Sequence, residues 1–124
     1  MKKTIQTAAV LGMLAVAIGA FGAHGLESHL THHGRLATFE TAVKYHFYHT
    51  LAILVAGLLQ AHLQENKYLK YSVRSFLAGI IIFSGSLYIL SLTNTGWLGA
   101  VTPFGGLAFI LGWIFLFLGA AGRK

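Results

Sequence analysis

The chain has 124 residues, of which 56% are hydrophobic and only 10% charged, with a formal net charge of +6. A water-soluble domain of this size has too little interior to hide so much apolar surface, so hydrocarbon is the expected solvent. The absence of cysteine excludes a disulfide framework, thiolate-bound zinc and iron–sulfur clusters. The basic residues lie at the two termini and in one short loop, a scatter that speaks against nucleic acid and for anionic lipid headgroups as partners.

The first apolar stretch, about residues 4–23, is long enough to cross a bilayer, which takes about 20 helical residues. Lys2 and Lys3 ahead of it and Ala20-Phe21-Gly22 at its end resemble a secretory signal, but the run is long for one, and an uncleaved span is expected. In the loop that follows, Leu26 and Leu30 stand one helical turn apart among His29, His32 and His33, with Gly34 as a stop. This pattern predicts a short helix lying flat in the interface, leucines down and imidazoles up. Thr38 reads as the cap of the next helix. Glu40 and Lys44, four residues apart in the favourable order, read as an ion pair on an extra turn above the bilayer.

The second span covers about residues 42–63, the third about 72–92 and the fourth about 103–121. Thr102 and Pro103 open the fourth as cap and first-turn proline. No span has an acidic residue in its middle, and none alternates as the strands of a membrane barrel would. Helix is the state that satisfies every backbone group in lipid. The expected fold is therefore all-α, an integral membrane four-helix bundle with a short interfacial helix in the first outer loop.

Orientation follows from the cations. With the N-terminus inside, Lys2, Lys3, Lys67, Lys70, Arg74, Arg123 and Lys124 face the cytoplasm, and only Arg35 and Lys44 lie outside. Both termini are then cytoplasmic and the plasma (inner) membrane is the expected location. Trp97, Tyr45, Tyr48, Tyr68 and Tyr71 fall near predicted span ends, where amphipathic rings favour the headgroup level.

Small residues supply the helix contacts, because burial of apolar surface drives little association inside lipid. Gly12, Gly19 and Gly22 with Ala8, Ala15 and Ala23 mark the first span, and Gly105, Gly106 and Gly112 with Ala108 and Gly119 the fourth. Packing within one chain is the first use of such faces. Contact with a second copy, a homo-oligomer, or with a larger membrane complex is the other.

His46 and His49 share a face of the second span with Ala42, Ile53, Gly57 and Gln60, a small and partly polar face that should point into the bundle. His24, at the outer end of the first span, is expected at a similar depth to His49 and within its reach. Imidazoles with Glu27 or Glu40 are ligand types for zinc or copper, and two imidazoles can hold a haem, which makes His24 and His49 the candidates for either. The simpler expectation is that they bond each other, a carbonyl or Glu40 and fix helix positions, with no cofactor. The His29, His32 and His33 cluster is a candidate pH sensor, and more simply a solvated face.

A carrier usually places an ionisable group at membrane depth. Lys44 and His49 are expected too near the outer surface for that. Ser84-Gly85-Ser86 and Gly105-Gly106 are weak candidates for the broken helices of carriers. Three carboxylates, Glu27, Glu40 and Glu65, leave little for acid–base catalysis, so no enzyme is expected.

Several motifs together resemble one known group. They are Gly19-Ala20-Phe21-Gly22-Ala23-His24-Gly25-Leu26, the run Phe39-Glu40-Thr41-Ala42-Val43-Lys44-Tyr45-His46-Phe47-Tyr48-His49, then Ser84-Gly85-Ser86-Leu87-Tyr88 and Thr102-Pro103-Phe104-Gly105-Gly106. The chain resembles the YgdD/YwdK-type family, a domain-of-unknown-function group of small bacterial inner-membrane proteins with mitochondrial relatives. The resemblance implies a multi-pass membrane protein and no established activity. By that likeness His24, Tyr45 and His49 match the family's polar positions, whereas His46 stands where the family pattern usually has Gln. With Glu40 and Lys44 they form the candidate polar cluster at the outer membrane surface. The function expected is non-enzymatic, through helix packing with itself, lipid or a larger complex. The alternative is a small oligomeric channel or carrier.

Overall fold

A computed structural model describes residues 1–63 and 66–122, and among them it contains helices and turns but no strand. Glu65, Arg123 and Lys124, counted above among the carboxylates and the inner cations, lie outside the described residues. In chain order the helices are α1 Lys2–Ala23, α2 Glu27–His32, α3 Leu36–His62, α4 Lys67–Gly79, α5 Gly85–Thr93 and α6 Thr102–Ala120. A π-helical turn, Ile80–Ser84, joins α4 to α5 without a break, and a 3-10 turn, Gly96–Ala100, leads into α6. Four rods are long and apolar enough to cross a membrane: Lys2–Ala23, Leu36–His62, Lys67–Thr93 and Gly96–Ala120.

α1 runs antiparallel along α3. Gly22 lies against Phe39, Gly12 against the Thr50 methyl, and Gly57 of α3 against Thr4 and Ile5. α6 runs antiparallel along α4 in the same way, with Gly119 on Leu69, Gly112 on Phe76 and Gly105 on the backbone of Phe83. α3 and the α4–α5 rod fill the middle, and α1 and α6 flank them with most of their surface open. Ala8, Ala52, Ile53, Phe76, Ile80 and Phe109 meet at the centre. Glycine is needed on α6 because a Cβ at position 105 would fall on the main chain of the π-turn, which cannot move aside as a side-chain tip can.

The π-turn has its own bookkeeping of backbone groups. A wider turn interrupts the regular ladder and frees a carbonyl. Ser86 Oγ donates to the Phe83 carbonyl at 2.9 Å and shares a 2.7 Å bond with Thr102 Oγ1. Ser84 Oγ donates to the Ala42 carbonyl of α3 at 2.8 Å. Ser84 thus ends the π-turn and Gly85 and Ser86 open α5, all inside one continuous rod. At Gly105-Gly106 α6 is regular and unbroken.

Other local expectations change. α3 opens at Leu36 with Arg35 as its cap residue, so Thr38 sits inside the first turn and caps nothing. Glu40 and Lys44 are both exposed, and no contact joins their charges. Thr102 turns its hydroxyl back to Leu98 and Ser86, so it does not cap α6, although Pro103 does occupy the first turn. Asn66 is a true cap: its Oδ1 accepts from Tyr68 N–H at 2.9 Å while its Nδ2 donates to Gly119 at 3.0 Å. A Cβ added at Gly106 would meet nothing nearer than a Phe83 ring atom at 3.9 Å, so Gly106 is no part of the tight α4–α6 seam.

The short α2 folds over one end of the bundle. Leu30 is fully buried beneath it, Gly34 takes φ +67 just after it, and His29, His32 and His33 stay exposed. His29 Nε2 bonds the Leu92 carbonyl at 3.0 Å and Arg35 Nε donates to Asn94 Oδ1 at 2.9 Å. These bonds tie the α2 loop to the end of α5.

Candidate functional site

Helix α3 carries two buried histidines, His46 at 3% and His49 at 5% exposure. Positions three apart share a helix side, yet these two rings are turned to different neighbours. His49 faces α6. Its Nδ1 lies 2.8 Å from the Tyr45 carbonyl. A carbonyl can only accept, so Nδ1 carries the proton and Nε2 is left as an acceptor. The indole N–H of Trp113 fills that role at 3.1 Å. The ring also lies flat on Phe109, with centroids 3.6 Å apart and planes 9° apart, and Phe76 and Trp113 close around it at 5.6 and 5.8 Å.

With both nitrogens engaged, His49 is held as one neutral tautomer. Binding a metal or a haem iron through either nitrogen would break a bond that a buried group needs. His49 also stands midway between Leu36 and His62, the ends of α3, and its neighbour Thr50 faces Gly12 near the middle of α1. It thus sits midway along α3, level with the middle of α1.

His46 faces α5. Its Nδ1 lies 2.7 Å from the Tyr88 hydroxyl, and the Tyr88 ring leans on Phe39 with centroids 5.5 Å apart. Thr50 Oγ1 donates to the His46 carbonyl at 2.7 Å. Nε2 of His46 is buried and makes no hydrogen bond of good geometry, the one side-chain atom of that kind among the described residues, although the Leu11 backbone lies beside the ring. The remaining buried hydroxyls are satisfied by main-chain carbonyls, among them Ser72 on Gly112 at 2.9 Å and Ser91 on Leu87 at 2.6 Å.

The expected outer polar cluster separates into three places. His24 ends α1 and is exposed, lining an open hollow with Glu27, Ser28, Thr31 and His32. Glu40 and Lys44 border a groove between α1 and α3, beside Gly19 and Gly22. Tyr45 and His49 are directed to Phe109 on α6. Successive helical residues point about 100° apart, so Lys44 and Tyr45 look to different neighbours although adjacent in sequence. The His24–His49 encounter does not form, because the end of α1 is level with Phe39, well above His49. Among the described residues no three His, Cys, Asp or Glu side chains converge to hold a metal ion.

Tyr88, Trp113 and Phe109 complete this interior and were not singled out from the sequence. Trp113 carried the one available signal. An indole N–H inside an apolar span, away from the headgroup level, requires an acceptor.

An all-α chain with four membrane-length apolar helices and a hydrogen-bonded polar interior is a small multi-pass membrane protein. The chain belongs to the DUF423 family, whose model, described as a protein of unknown function, matches residues 18–106. It is similar to the UPF0382 membrane protein YwdK of Bacillus subtilis, 44% identical over 120 residues and 97% of each chain. The UPF0382 membrane protein SAB0533 of Staphylococcus aureus is 45% identical over 118 residues, 95% of this chain and 94% of its own. A UPF0382 membrane protein of Haemophilus influenzae is 40% identical over 122 residues, 98% of this chain and 96% of its own. No solved structure matches the chain.

Proposed function

We propose that the chain is a non-enzymatic component of the plasma membrane, inserted with both termini in the cytoplasm, that acts through helix packing with a second copy, with lipid or within a larger membrane complex. The observation that carries this reading is how the polar interior is spent. Ser72, Ser84, Asn66, Thr50 and His49 each bond another helix or their own, and the charged side chains stay near the rod ends. Such an interior fixes helices against one another. Lys2, Lys3, Lys67, Lys70 and Arg74 gather at one end, which supports the cytoplasmic assignment of that end.

The competing reading, an oligomeric channel or carrier, has one observation in its favour: Nε2 of His46, deep in the bundle without a hydrogen bond of good geometry. Reconstitution into liposomes separates the two. A packing component gives no ion or solute flux, and gentle detergent extraction recovers it as an oligomer or with defined companion subunits. Reproducible flux that His46→Ala abolishes would establish the carrier instead.

A further inference from the structure

At the α2 end of the bundle, a groove of about 240 Å³ runs along the α1–α3 seam. Gly19, Gly22 and Ala23 of α1 and Leu36 and Val43 of α3 make it apolar, suited to hydrocarbon. Its border carries one acid and one base, Glu40 and Lys44, both exposed and a single helical turn apart. Neither engages another group of the protein among the described residues. α3, at 27 residues, exceeds the roughly 20 that cross the hydrocarbon, so its first turns stand at headgroup level.

We propose that this groove is a binding site for a zwitterionic phospholipid whose headgroup bears a primary ammonium. Charge complementarity selects the occupant. Lys44 meets the phosphate as a flexible point charge, and its stem lies along apolar wall while the ammonium reaches the surface. Glu40 accepts hydrogen bonds from the lipid ammonium, which carries three N–H donors. The acyl chain nearest the protein follows the Gly19–Gly22 floor. An anionic lipid without an amine can meet Lys44 through its phosphate but brings no cation to the Glu40 carboxylate. A quaternary ammonium offers no N–H and is held by open aromatic faces, and the one ring lining this groove, Phe39, is 2% exposed.

The site rests on the membrane-embedded reading but is tested apart from it. The full-length chain in detergent micelles is mixed with equimolar phosphatidylethanolamine, phosphatidylcholine and phosphatidylglycerol of identical acyl chains, and bound lipid is counted by native mass spectrometry. Phosphatidylethanolamine is expected to be retained about two- to fivefold over either competitor, the range that a charged contact near the surface supplies. Glu40→Gln should bring it down to the level of phosphatidylcholine and Lys44→Gln should lower the retention of all three lipids, with melting temperature unchanged because both side chains are exposed. Equal retention of the three lipids, preference for phosphatidylglycerol, wild-type selectivity in the Glu40 variant, or undiminished retention in the Lys44 variant overturns the site. Each of those results leaves insertion and packing of the helices untouched.

Discussion

The indole N–H of Trp113 on α6 donates to Nε2 of His49 on α3 at 3.1 Å, while the opposite nitrogen of the same imidazole donates to the Tyr45 carbonyl at 2.8 Å. One side chain thus closes a bond within its own helix and a bond to a helix 64 residues further along the chain. In hydrocarbon neither group has water to fall back on, so each depends on the other.

That dependence can be measured. Trp113→Phe keeps a ring but removes the donor and leaves a buried acceptor alone, which should cost about 1–2 kcal/mol. His49→Ala also loses the stack on Phe109 and opens a cavity, and should cost about 2–4 kcal/mol. Detergent unfolding curves give both values. If the double variant loses no less than the sum of the two, the residues are uncoupled and the bond is not what joins α3 to α6.

The glycines of α6 should separate sharply. Gly105→Ala places a methyl on the Phe83 main chain and Gly112→Ala places one on the buried Phe76 ring, so each should cost about 1–3 kcal/mol. Gly106→Ala has room, and the better helix former should leave stability unchanged or raise it by up to about 1 kcal/mol. Thermal melts of the three variants in one detergent test the ranking, and a Gly106 variant as damaged as the Gly105 variant would contradict the seam described here.

Asn94 sits at φ 55 and ψ 38 at the end of α5, and its Oδ1 takes the Arg35 bond. Asn94→Gly loses the bond but keeps the left-handed backbone without strain. Asn94→Ala loses the bond and adds the strain, so it should be the less stable by about 1–2 kcal/mol. Equal melting temperatures for the two would show that the turn relaxes.

The absence of cysteine makes insertion directly testable. Thr31→Cys, on the exposed side of α2, should react with a membrane-impermeant maleimide in intact cells. Lys67→Cys should react only after the membrane is opened. The reverse pattern would invert the proposed orientation, and labelling of both in intact cells would refute a fixed one.

Much of the architecture was open to reading from the residues alone. The spans announce themselves because a bilayer demands about 20 apolar residues per crossing and tolerates charge only at the ends. Gly34 marked the end of α2 and Pro103 the start of α6, since each imposes a backbone preference of its own. Local patterns misled where a hydroxyl had a better partner across space than along the chain. Thr102 was assigned as a cap, yet its hydroxyl serves Ser86 and the Leu98 carbonyl.

The candidate site was the least legible part. Residue spacing places His46 and His49 on one side of α3, but it carries no information about which helix stands opposite each ring. That is decided by how α1 docks at Gly12 and Gly22, how α6 docks at Gly105 and Gly112, and where the π-turn sets Tyr88. Hydropathy is a sum along the chain and needs no tertiary structure, so composition determined the solvent and the number of crossings. Pairing depends on contacts between separate helices, so only the packed bundle could set His49 beside Trp113 and leave His24 at the exposed end of α1.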